Sequence, residues 1–258
     1  MLNFHWSLRT EHRDGVLLDT VKSLESKGYT SALCQFQVHS GDPFIVAAHA
    51  ASHTSTLKYM VALRPYALTP AYCKMQCNSF YRSFGDRLIL NMVSGTFDDE
   101  NEIFLEKTTE IEYRRSLIPT FIEKFTSLSF DNDYRPKIAI TGSSETSLDL
   151  AENWSTMNLM LLSDFVKNKE TLANKSFKKC VKISTIIDNT FYEAEERFKT
   201  SYITDREKDN IMFGTIDSLI NEFKLLEEQG VTDILLSNTM SNMYDTRVHD
   251  LVKELSNV

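Results

Sequence analysis

Hydrophobic rhythm limits the fold of this chain more than any other feature. Short runs dense in apolar residues stand at positions 2–8, 31–35, 57–63, 87–93, 137–141, 156–161, 180–187 and 232–236. Each is short and predominantly apolar, so each reads as a strand covered on both faces. Between them lie longer amphipathic stretches, at 15–27, 43–53, 70–84, 108–127, 144–153, 190–199 and 215–229, with a closing one near 239–255. In the stretch at 215–229, Ile216, Leu219, Ile220, Phe223 and Leu226 recur every three or four residues and form one apolar stripe. Gly28 and Gly230 follow their helices where a left-handed C-terminal residue is wanted. Eight strand–helix units predict a parallel sheet wound with helices, and eight is the number that closes a (β/α)8 TIM barrel. An open, doubly wound sheet is the rival, but no G-x-G-x-x-G follows the first strand.

A length of 258 residues suits one such barrel, and no linker-like stretch divides it, so a single domain is predicted over 1–258. The net charge is −8, with no long basic run to track a phosphate backbone, which argues against nucleic acid as the main partner. No stretch approaches the roughly 20 apolar residues that span a bilayer. The first residues lack the basic and apolar regions of a signal peptide. Cys34, Cys73, Cys77 and Cys180 lie in apolar segments without metal-site spacing, which suits a reducing compartment. The expectation is an acidic cytoplasmic protein with neither a membrane nor a nucleic-acid partner.

Several residues carry chemistry by position. Gly142-Ser143-Ser144 closes the fifth strand and opens a helix, where free amides and hydroxyls make an anion site; a plain helix cap is the alternative. Asn91, Ser94 and Gly95 end the fourth strand, where small polar residues also serve as turn formers. His39, in the loop after the second strand, is a candidate acid/base, because a neutral imidazole moves protons near pH 7. His5 lies on the first strand: facing inward it could orient a substrate, facing outward it packs against helices. Arg64 follows the third strand and could meet an anion or form a rim salt bridge. His49/His53 and Cys73/Cys77 each share a helix face, but neither pair has an evident third ligand, so no metal is predicted. Residues 98–102 read as a solvated acidic loop. Lys175, Lys178, Lys179 and Lys182 form a basic cluster that could dock an acidic carrier or a flavin phosphate, or be a solvated face.

Three ordered groups of segments carry a family resemblance. The first is Gly28-Tyr-Thr-Ser-Ala-Leu-Cys, Gly41-Asp-Pro-Phe-Ile-Val-Ala-Ala and Leu57-Lys-Tyr-Met-Val-Ala-Leu-Arg-Pro. The second is Phe84-Gly-Asp-Arg-Leu-Ile-Leu-Asn-Met-Val-Ser-Gly. The third is Thr141-Gly-Ser-Ser-Glu, then Ile211-Met-Phe-Gly-Thr and Gly230-Val-Thr-Asp-Ile-Leu-Leu-Ser. Together they resemble the luciferase-like flavin-dependent monooxygenases, and most the alkanesulfonate monooxygenase branch, over residues 2 to 240.

That resemblance implies a (β/α)8 barrel binding reduced FMN at the C-terminal ends of its strands and using O2 to oxidise an organic substrate. It implies a separate flavin reductase as partner, a homodimer, and a small or carrier-protein-bound substrate. It places Asn91, Ser94, Gly142, Ser143, Ser144 and Ser147 at the flavin, and His39, His5, Ser40 and Arg64 as candidate catalytic residues. Ser40 stands where the alkanesulfonate enzymes carry cysteine, so a role needing a thiolate does not transfer. The segments 97–137 and 187–211 are shorter than in the family, and the second matches a mobile lid in sulfonate oxidisers. Residues 156–162 lack the Trp-Gly pattern expected there. Two alternatives stay open: a non-catalytic flavin-binding or structural homologue, and a deazaflavin-dependent reductase on the same barrel.

Overall fold

The computed structural model describes residues 1–8, 14–37, 41–95, 103–105, 110–130, 134–237 and 247–256. Among them run nine parallel strands: β1 (Asn3–Leu8), β2 (Ser31–Cys34), β3 (Lys58–Leu63), β4 (Leu88–Met92), β5 (Lys137–Thr141), β6 (Met157–Leu161), β7 (Lys178–Ile187), β8 (Ile211–Gly214) and β9 (Asp233–Leu236). Strands β1 to β7 pair in chain order, β7 pairs with β9, and β9 pairs back with β1. Eight strands therefore close into a (β/α)8 barrel, and they are the eight that the apolar runs mark.

Strand β8 is the difference. The apolar pattern does not mark residues 211–214, yet they pair with the far half of β7, from Ser184↔Ile211 to Ile187↔Gly214. The ten-residue β7 outruns its barrel neighbours, and its projecting backbone groups need partners. β8 supplies them outside the closed barrel.

The helices are α1 (Asp14–Ser26), α2 (Pro43–Ala51), α3 (Pro70–Phe84), α4 (Ile111–Ser127), α5 (Glu145–Trp154), α6 (Leu162–Lys167), α7 (Lys169–Ala173), α8 (Phe191–Thr200), α9 (Asp205–Lys208), α10 (Ile216–Glu228) and α11 (Arg247–Ser256). Local chemistry sets their starts. The Asp42 carboxylate accepts from the amides of Phe44 and Ile45 at 2.9 and 3.0 Å, just before Pro43 opens α2. Thr69 does the same for Tyr72 at 3.2 Å, ahead of Pro70. Gly28 and Gly230 adopt φ of 82° and 91°, the left-handed conformation expected after α1 and α10. None of the helices described is long and apolar enough to cross a membrane.

Strand alternation divides the core. Phe4, Trp6, Leu8, Tyr59, Val61 and Leu63 pack outward in the cluster shared with the helices. Their alternates fill the barrel: Leu33, Met60, Ala62, Ile89, Ala139 and Leu159 form a separate inner cluster. His5, between Phe4 and Trp6, belongs to the inner face. Its Nδ1 lies 2.7 Å from Ser31 Oγ and its Nε2 2.9 Å from Asp233 Oδ1, so one ring ties β1 to both neighbours.

A carboxylate fastens α1 to the start of β3. Glu25 Oε1 accepts from the amides of Ser55, Thr56 and Leu57 and from the Thr56 hydroxyl, at 2.6–2.9 Å. Burial pushes this carboxyl up, but the four donors outweigh it and hold the pKa at about 2, below its ordinary 4.5. A folded-state pKa below the unfolded one contributes stability that is fully present above pH 4.5 and lost as pH falls through about 2. Glu25→Gln is therefore expected to destabilise the protein at pH 7, and the gap from wild type should narrow at acid pH. Denaturant midpoints at pH 7 and at about pH 3 test this; a gap independent of pH would show that the charge is not what holds the loop.

Candidate functional site

A cavity of about 1000 Å³ opens at the C-terminal ends of the barrel strands. Its apolar floor includes Leu33, Ala62, Leu159 and Leu235 from the inner strand faces. Polar groups enter from the strand ends and from the loops that follow them, as parallel barrels generally arrange.

The turn after β5 is the most constrained part of the wall. Gly142 has φ 141°, and a Cβ built there would lie 2.6 Å from Ser147 Oγ. Ser147 is buried, and its hydroxyl lies 3.0 Å from that of Ser144. Ser144 also caps α5 by accepting from the Ser147 amide at 3.3 Å. Asn158 of β6 clamps the turn from behind, donating to the carbonyls of Ile140 and Gly142 at 3.1 and 3.0 Å. The result is a tight turn in which the glycine leaves room for the Ser147 side chain, with hydroxyls gathered at the positive end of a ten-residue helix. Those are the requirements of a phosphate seat. Ser144 is a helix cap and also part of the cavity wall, so the two local readings of this segment coexist.

Asn91 and Ser94, at and just after the end of β4, line the same cavity. Asn91 Oδ1 accepts from the Thr141 hydroxyl at 2.8 Å, so what it offers a ligand is N–H donation. Arg114 of α4 fixes the loop after β4, donating to the carbonyls of Ser94 and Gly95 at 3.0 and 3.3 Å. Arg64 also lines the cavity, buried, with its guanidinium 5.2 Å from the Phe36 ring centroid. Gln35 reaches from the end of β2 to donate to Ser7.

The candidate residues divide accordingly. Asn91, Ser94, Gly142, Ser143, Ser144, Ser147 and Arg64 share one cavity. His5 is inside the barrel but not in the cavity wall, and both its ring nitrogens are engaged. His39, Ser40 and the acidic stretch 98–102 lie outside the described residues.

The lysine cluster is dispersed. Lys175 pairs with Asp149 at 3.1 Å, Lys179 donates to the Lys175 carbonyl at 3.0 Å, Lys178 is exposed, and Lys182 alone lines the cavity. His49 and His53 stack edge to face on and just beyond α2, and Cys73 and Cys77 are buried in α3. No group of His, Cys, Asp or Glu able to hold a metal ion occurs among the described residues.

Sequence reasoning missed Arg114, which looks like a surface charge on an amphipathic helix, and Gln35 in the polar segment after β2. It also missed a side cavity of about 520 Å³ between the β2 and β3 ends and the starts of α2 and α3. Phe36, Gln37 and Ala62 line both spaces.

Residues 3–116 match the family model described as luciferase-like monooxygenase. Over that stretch the chain is similar to the family, and its fold is the luciferase-like (β/α)8 barrel. Solved structures extend the likeness beyond residue 116, at identities that speak for the fold. The EDTA monooxygenase from Chelativorans sp. BNC1 superposes with a TM-score of 0.81 at 11% identity, covering 99% of this chain and 93% of that one. The oxygenating constituent of 3,6-diketocamphane monooxygenase from Pseudomonas putida, solved with FMN, gives 0.71 at 14% identity, over 99% and 97%. The coenzyme F420-dependent tetrahydromethanopterin reductase from Methanopyrus kandleri gives 0.71 at 12% identity, again over 99% and 97%.

Proposed function

We propose that this luciferase-like barrel, residues 1–258 acting as one unit, is a flavin-dependent oxidoreductase. Its cofactor is reduced FMN supplied by a separate reductase, and it oxygenates a small or carrier-protein-tethered metabolite. The observation that carries the reading is the Gly142–Ser147 turn, a hydroxyl-lined helix start, kept tight by the glycine, that lines the barrel mouth. When bound, reduced FMN would supply the electrons for oxidation by O2.

In this reading the chain's own residues bind, orient and exclude water. Ser143, Ser144 and Ser147 receive the phosphate with the first amides of α5. Asn91 would donate a hydrogen bond to the flavin, and Arg114 would hold the loop after β4 in place beside it. Arg64 follows β3, two strands from the turn after β5, and would meet a ligand from that side of the cavity. The apolar floor keeps water from beneath the ring. His39 is the proton-transfer candidate, and His39→Ala is expected to lower product formation more than flavin affinity. Equal loss of both would assign His39 to binding. A homodimer remains part of the proposal, and so does the location in the cytoplasm.

The F420-dependent neighbour supports a second reading, hydride exchange with a deazaflavin seated on the same turn. One experiment separates the two. The protein is mixed anaerobically with reduced FMN or a reduced deazaflavin, then exposed to O2 in a stopped-flow instrument. Protein-dependent change in the oxidation of reduced FMN, with peroxide released in the absence of substrate, supports the monooxygenase. Binding confined to the deazaflavin, with no effect on oxidation by O2, supports the reductase.

A further inference from the structure

We propose that the side cavity seats an uncharged aryl group of the organic substrate, one that carries a hydroxyl or a similar donor–acceptor group on its edge. The proposal deepens the flavin reading and rests on it for calling the ligand a substrate. The cavity measures about 520 Å³, within the roughly 300–1,000 Å³ of small-molecule sites.

Four aromatic rings line it: Phe36 at the end of β2, Phe44 of α2, Tyr72 of α3 and Phe104 beyond β4. Phe36 and Phe104 already meet, tilted, with centroids 5.4 Å apart. Tyr72 and Phe104 are 56% and 37% exposed, so a ring entering the cavity would cover apolar surface that the fold leaves in water. Aromatic rings add edge-to-face and offset contacts to that burial, which a saturated ring of the same size does not make.

The polar lining sets the rest of the chemistry. Gln76, one turn of α3 beyond Tyr72, lines the cavity, and its Oε1 is buried and accepts no hydrogen bond from any described residue. A buried acceptor without a donor is costly. Turned about its last bond, the carboxamide offers the cavity either that oxygen or its N–H groups, and a hydroxyl pairs with both. Asp42 is the one charged residue among the described lining, its carboxylate held by the amides of Phe44 and Ile45. With a carboxylate and no cation in the described wall, an anionic ring is disfavoured.

The seat also has the right place. Phe36, Gln37 and Ala62 line both cavities, so a ligand held by its ring in the side cavity extends past Phe36 into the main one. β4 lies between β3 and β5, which puts the side cavity roughly 10 Å, two strand spacings, from the turn after β5. Ring and flavin phosphate therefore do not compete.

The test uses the full-length protein and four probes: 2-naphthol, naphthalene, decahydro-2-naphthol and 2-naphthoate. Binding of 2-naphthol is followed by its fluorescence, and the others by displacing it, in wild type, Gln76→Leu and Tyr72→Leu. Both substitutions place a good helix former at positions that are not fully buried, so the fold is kept. The expected result is 2-naphthol bound tighter than each of the other three by about fivefold or more. Gln76→Leu abolishes the advantage over naphthalene, and Tyr72→Leu narrows the advantage over decahydro-2-naphthol. Reduced FMN, titrated by anaerobic calorimetry, keeps its affinity within about twofold in both variants and in saturating 2-naphthol. The proposal is overturned if 2-naphthol has no advantage over the other probes, if neither variant changes its binding, or if 2-naphthol and FMN exclude each other. Failure of wild type to bind any flavin overturns the proposed function instead, and the probe titrations still decide the side cavity.

Discussion

Asp233→Ala is expected to lower the melting temperature by about 6–20 °C, from a loss of about 3–5 kcal/mol when one member of a buried polar pair is removed. Asp233, His5 and Ser31 are 1%, 1% and 0% exposed, inside the barrel, so the lost carboxylate leaves the His5 ring without its buried partner. The three residues resemble a serine–histidine–aspartate relay. Complete burial makes it a strut that fixes the register of β9, β1 and β2 rather than a nucleophile. Burial alone would push the Asp233 carboxyl up; the bond to His5 overcomes this and holds it below the ordinary value of 3.8. By linkage, its contribution is present above the unfolded pKa and lost as pH falls through the lower folded one. Replacing all three partners, as His5→Leu with Asp233→Leu and Ser31→Ala, should recover most of the loss, since apolar substitutes at all three positions leave none of these groups unsatisfied. Thermal melts decide this. A drop under about 2 °C for Asp233→Ala would mean that the pair carries no structural load.

The second large effect falls on cofactor binding. Ser143→Ala combined with Ser144→Ala is expected to weaken reduced FMN at least tenfold, from two hydroxyl contacts to a charged phosphate at roughly 1.5–3 kcal/mol each. Loss of the Ser144 cap costs about 1 kcal/mol of stability, too little to unfold the barrel. Gly142→Ala approaches the same site sterically. Its Cβ would meet the Ser147 hydroxyl at 2.6 Å, and φ 141° already disfavours any side chain. Both variants should fold, shown by unchanged far-UV circular dichroism, and both should lose FMN. Undiminished FMN affinity in the serine double variant would reduce the segment to a helix cap.

The barrel was legible because strands covered on both faces concentrate apolar residues in short runs, and each run from residue 2 to 236 became a closed-barrel strand. β8 was not legible. Four residues leave no periodic signal, and the partner of β8 is an overhang of β7 that sequence does not reveal. Helices α6, α7 and α9, at four to six residues, were missed for the same reason. At His5 alternation could not choose a face, since Phe4 and Trp6 on one side and the barrel interior on the other are both buried.

The turn after β5 and Asn91 were legible because they end strands, where a parallel barrel gathers its polar groups. Arg114 was not legible as a wall residue, and within the lysine cluster sequence did not tell which member faces the mouth. In sequence Arg114 reads as a helix surface charge and Lys182 as one member of a basic run. Only the closed barrel turns Lys182 inward and leaves Lys178 exposed. The proposed function rests on the ordered family segments and the turn after β5, not on periodicity.

In the proposed function, the mouth holds a reduced flavin by its phosphate on the turn from Gly142 to Ser147. Anaerobic calorimetry of the wild-type protein with reduced FMN, against reduced riboflavin, which lacks only the phosphate, tests it most directly. The account predicts one FMN bound per chain and riboflavin at least tenfold weaker, because the phosphate contacts are missing. Equal affinity for the two, or no binding of either, would contradict it.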